Sequence, residues 1–141
     1  RSTPYPSLAE FDSPGRVVST SRRIRTNTPL QVLVTLNDPV YIEAAQALAR
    51  KISAASGDLS AKVRFGFRQC LSRPPTDEET ERLKALFAQC KTVFSESQED
   101  AKTMATDPLG PATEGADLVE LAAWTVVGNV LLNTDEFLMK P

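Results

Sequence analysis

From Thr28 onward, apolar residues recur every three or four positions, the period of a helix with one buried face. Thr28-Pro29 reads as an N-cap followed by proline at the first helical position, and Leu30, Leu33, Val34 and Leu36 fall on one face, expected to be the buried one. Asn37-Asp38-Pro39 stops that short helix and starts a second, with Asp38 as cap and Ile42, Ala45, Leu48, Ala49 and Ile52 at helical spacing up to Ser56-Gly57. Asp58 caps a third, carrying Leu59, Val63, Phe67, Cys70 and Leu71 before Pro74-Pro75. Thr76-Asp77-Glu78-Glu79 has the form of a capping box, and the fourth helix is expected from Asp77 to about Thr103. After the loop Asp107-Pro108-Leu109-Gly110-Pro111, the stretch from about Glu114 to Leu132 is apolar on nearly every side, which predicts a helix enclosed by the others. No window alternates like a half-buried strand, and no repeat is found. The pattern predicts an all-α fold: a compact bundle of about five helices around the apolar C-terminal helix. This helical domain covers residues 26–141 and follows an extended arm, residues 1–25, which holds three of the ten prolines.

Composition narrows the chemistry. The chain has 141 residues and no histidine, which removes Ser-His-Asp and Cys-His triads, histidine-bearing zinc sites and CxxCH haem attachment from this stretch. No apolar run reaches the roughly 18 residues that span a bilayer. Arg1-Ser2-Thr3-Pro4-Tyr5-Pro6 has no apolar core of a signal peptide, and the start at arginine suggests a piece of a larger protein. Charge is distributed unevenly: Ser13 to Leu36 holds four arginines and no acid, while Thr103 to Met139 holds six acids and no Lys or Arg. An isoelectric point near 5.2 argues against nucleic acid as a partner. The basic arm is instead expected to dock on acidic surface, in this chain or in a neighbouring domain.

Candidate chemical groups are few. Cys70 and Cys90 fall on apolar faces too far apart along a helical hairpin to bridge, and read as buried thiols packed like small hydrophobes. Glu78, Glu79 and Glu81 are explained by capping and solvation. Asp135 and Glu136, with Asn133, close the apolar helix, where an acid opposes the helix dipole; Arg22, Arg23 or Arg25 would be suitable partners. The densest polar run, Arg22, Arg23, Arg25, Asn27, Gln31, Asn37 and Asp38, could satisfy two successive helix ends or line a polar pocket. No catalytic residue and no metal ligand set stands out.

The strings Phe11-Asp12-Ser13-Pro14-Gly15-Arg16, Arg22-Arg23-Ile24-Arg25-Thr26-Asn27-Thr28-Pro29-Leu30-Gln31 and Leu36-Asn37-Asp38-Pro39, together with Leu71–Glu79, Glu120–Trp124 and Leu131–Phe137, resemble the C-terminal domain of unknown function of planctomycete cytochrome-c-associated proteins. The resemblance spans nearly the whole chain. It departs at Ser19, where many relatives are expected to carry cysteine. It implies an exported protein, periplasmic or at the cell surface, with haem c in an upstream domain and no cofactor in this part, whose partners are other domains of the same polypeptide. Two functions are then open. One is a structural and interaction module; the other is a contributor of polar groups to an enzymatic site, carbohydrate-related or redox, completed upstream.

Overall fold

The structure, a computed structural model, describes residues 10–11 and 28–138. Its helices are α1 (Pro29–Asn37), α2 (Pro39–Ala54), α3 (Leu59–Cys70), α4 (Asp77–Glu96), α5 (Gln98–Thr106), α6 (Leu118–Leu132) and α7 (Asp135–Leu138). The described residues contain no strand, and the fold is all-α. The expected arm lies outside the described residues apart from Glu10 and Phe11.

The helix starts follow from side-chain caps. Thr28 and Gln31 form a capping box on α1, and Asp38 accepts from the Val40 amide to start α2 directly behind it. Asp58, Thr76 and Asp117 serve α3, α4 and α6 in the same way. Gly57, at φ +113°, makes the turn between α2 and α3, a conformation that side-chain-bearing residues rarely adopt.

The enclosed helix is α6, packed by α2, α4 and α5. Trp124 is fully buried and stacks obliquely on Phe87 of α4, with ring centroids 4.3 Å apart. The indole N–H donates to Glu120 over 3.1 Å, and Glu120 also meets Lys62 of α3 at 3.2 Å, so neither the indole nor the carboxylate is left unpaired. Gly128 lets α2 approach: a Cβ there would stand 3.1 Å from the Ala45 carbonyl oxygen. Around this seam Ile52, Val63, Phe67, Leu83, Val127 and Leu131 complete the main core, and Ala101, Ala105, Val119 and Leu121 form a smaller one under α5.

A polar device inside the apolar body was not foreseen. Gln46, wholly buried, donates to the carbonyls of Met104 (2.8 Å) and Asp107 (2.7 Å) and accepts from the Leu109 amide (3.0 Å). Arg50, one turn on, donates to the Gly110 carbonyl. Together they fasten the proline-rich loop to α2.

Four expectations need correction. The helix expected from Asp77 to about Thr103 breaks at Ser97, whose hydroxyl accepts from the Asp100 amide and caps α5, turning Ala101 and Ala105 onto α6. The last long helix starts at Leu118 rather than near Glu114, because Asp117 takes the amides of Val119 and Glu120. With the short α7 added, the helices number seven among the described residues rather than about five. Most of the face expected to bury α1 is exposed: Leu30, Leu33 and Leu36 are 50%, 55% and 38% exposed and only Val34 is half-buried, while Gln31 and Thr35 are buried.

Candidate functional site

The inversion of α1 begins with its buried polar groups. Gln31 reaches back to cap Thr28 through its Oε1 (3.2 Å), and its Nε2 donates to the Glu10 carbonyl over 2.7 Å. One turn on, the Thr35 hydroxyl donates to Asn133 Oδ1 over 2.6 Å at the C-terminal end of α6. Asn129, also on α6, holds its Nδ2 at 3.5 Å from the Leu36 carbonyl, and its Oδ1 is buried without a partner among the described residues. At about 3.6 residues per turn, Leu33 points roughly opposite to the mean direction of Gln31 and Thr35. Docking α1 by its polar side therefore turns its leucines outward.

The outward face continues past α1. Val40, in the first turn of α2, is 57% exposed, and α1 itself carries no charged residue. At its C-terminal end Leu36 lines a groove of about 530 Å³ with Ile42, Phe94 and Met104, and Asp100 and Asp107, both exposed, border it.

A second polar cluster lies at the turn after α3. The Arg73 guanidinium takes both Glu79 oxygens (2.8 and 2.9 Å) and both Glu136 oxygens (2.8 to 3.1 Å), and it sits 4.9 Å over the Phe67 ring. Glu79 also caps Thr76 N over 2.7 Å. The hydrogen bonds from Arg73 first, then that from Thr76, hold the Glu79 carboxyl down at about 2, well below the usual carboxylate range. The three charged groups ring the mouth of a pocket of about 310 Å³ floored by Phe67, Leu71, Leu83 and Leu131. Two N–H edges of the guanidinium are already taken by carboxylates, so the cluster ties the α3–α4 turn to α7 and presents no free base or nucleophile.

The expected site residues divide accordingly. Arg22, Arg23, Arg25 and Asn27 lie outside the described residues. Asn133 is joined to α1 by Thr35, which sequence reasoning missed, while the Gln31 side chain, one turn earlier, goes to Thr28 and Glu10. Asn37 donates to the Leu33 carbonyl (2.8 Å) and edges the groove, and Asp38 caps α2. Glu136, expected beside an arm arginine, is gripped by Arg73; Asp135 lies exposed in α7. The pairing of Arg73 with Glu136 joins positions 63 residues apart and had no local signal, whereas the Thr76–Glu79 box was visible.

Cys70 and Cys90 are free and half-buried against the main core rather than fully buried. Burial pushes the Cys70 thiol up to about 11 and raises that of Cys90, so both are protonated near neutral pH. The described residues offer no group of three or more His, Cys, Asp and Glu that could hold a metal ion, and none of their helices is long and apolar enough to cross a membrane.

Against known proteins, the model of the family described as PSD1, protein of unknown function (DUF1553), matches residues 1–87, from the arm into the first half of α4. No curated protein and no solved structure matches the chain.

Proposed function

The chain belongs to the PSD1 family (DUF1553), and from that premise we propose that it is an interaction module that docks through the outward apolar face of α1 and the first turn of α2. The observation that carries this reading is the orientation of α1: a helix of nine residues without a charge keeps Gln31 and Thr35 inside and leaves Leu30, Leu33 and Leu36 in solvent. Exposed leucines in one row lose the free energy of burial, about 25 cal/mol per Å² of apolar surface left in water, which an occupant on that face would recover.

On this reading the occupant belongs to another domain of the same polypeptide, an exported, cytochrome-c-associated protein whose haem c is carried upstream; the likeness of the Arg22–Gln31 and Leu131–Phe137 strings supports that placement. An enzymatic site completed upstream has less support, since Gln31 and Asp38 are engaged in capping their own helices and leucine side chains face outward.

Site-specific photo-crosslinking tests the docking face. Benzoylphenylalanine placed at Leu33 in the protein as its cells make it should give a discrete adduct, and the same group at exposed Glu81 should not. Equal adducts at both positions, or none at Leu33, overturn the proposal.

A further inference from the structure

Resting on that docking face, we propose that the groove beside α1 receives a basic amphipathic peptide segment, with apolar side chains on its floor and Lys or Arg on its rim. The floor of Leu36, Ile42, Phe94 and Met104 and a volume of about 530 Å³ suit several aliphatic side chains, within the roughly 300–1,000 Å³ of ordinary ligand clefts.

The rim supplies the sign of the partner. Asp100 and Asp107 line the groove, both exposed, and Asp38 and Glu43 lie on the adjoining α1–α2 corner. Between residues 26 and 49 the chain has no Lys or Arg. Lys102, the cation on α5, lines a different depression with Thr106, Pro111 and Leu118. An apolar floor bordered by the exposed Asp100 and Asp107 attracts a cationic amphipathic segment, which meets both features at once. A second copy of this chain would set the same acids against one another in a two-fold contact, and an anionic lipid surface would be repelled by them.

The probe is a fluorescent 14-residue Leu/Arg helix peptide, compared with a Leu/Glu peptide of equal apolar content, titrated by anisotropy into the whole 141-residue chain. The Leu/Arg peptide should bind and the Leu/Glu peptide should bind at least tenfold more weakly. Asp100→Asn should weaken Leu/Arg binding about two- to fivefold, the range of one exposed ion pair. Leu36→Gln should weaken it at least as much, and Glu81→Gln should leave it unchanged. Because Leu36 and Asp100 are both exposed, these variants keep the fold, which circular dichroism verifies. Absence of Leu/Arg binding, equal affinity for the two peptides, or equal losses in Asp100→Asn and Glu81→Gln overturn the proposal. So do dimers that Leu36→Gln dissolves, or tighter binding to anionic vesicles than to the peptide. Such a failure alongside an intact Leu33 crosslink removes only the basic partner; a missing crosslink removes the docking face itself.

Discussion

Glu79 combines two duties in one carboxylate, closing the cap behind Thr76 and gripping Arg73 across the turn. Its carboxyl is lower when folded than its ordinary value near 4.5, so its contribution to stability is complete above that pH and disappears as pH falls toward about 2. Urea midpoints measured between these limits should therefore drop less steeply in Glu79→Gln than in the parent, with the difference shrinking in high salt because the groups are exposed. Gln46 makes the opposite case, a buried amide whose loss strands two carbonyls and an amide N–H. Gln46→Leu should cost about 2 kcal/mol or more in chemical denaturation, since each stranded buried group costs about 1–3 kcal/mol. The cap role of Glu79 was legible as Thr-x-x-Glu, whereas its hold on Arg73 and the three partners of Gln46 were not, since those partners are set by packing rather than by local spacing.

Among elements, boundaries were the legible part. Thr28, Asp38, Asp58 and Thr76 each cap the helix that the sequence assigns to them, because a side-chain acceptor two or three residues ahead of free amides is a local device. Ser97 offered the same signal, Ser followed by Glu99 and Asp100, but it stands in the wholly polar run of residues 95–100, where no apolar pattern marks the end of one helix and the start of the next. The facing of α1 could not be read locally: its leucines predict an inward face, but Asn129 and Asn133 make the adjoining end of α6 polar and take Thr35 and the Leu36 carbonyl, while Gln31 on the same side reaches Glu10. Where α6 meets α2, space is the constraint. Gly128→Ala places a methyl against the Ala45 carbonyl, a backbone atom with little freedom to move, and should lower stability by about 1 kcal/mol after the gain in helix propensity is counted. A thermal melt equal to or above that of the parent would show that α2 shifts to accommodate it.

For the molecule as a whole, the fold class was legible because the all-round apolar α6 demands enclosure, and α2, α4 and α5 supply it. The candidate site was legible only in part: the sequence indicated Gln31, Asn37, Asp38, Asn133 and Glu136, and the structure assigns them to caps, a seam and an ion-pair clamp. What points outward instead is a row of leucines that lie where a core was expected. That orientation is the central claim, and Leu33→Ala tests it most directly, by urea unfolding of the whole chain. A leucine facing solvent predicts a stability change within about 0.5 kcal/mol; a loss of about 2–5 kcal/mol, the cost of emptying a core position, would place Leu33 inside and contradict the account.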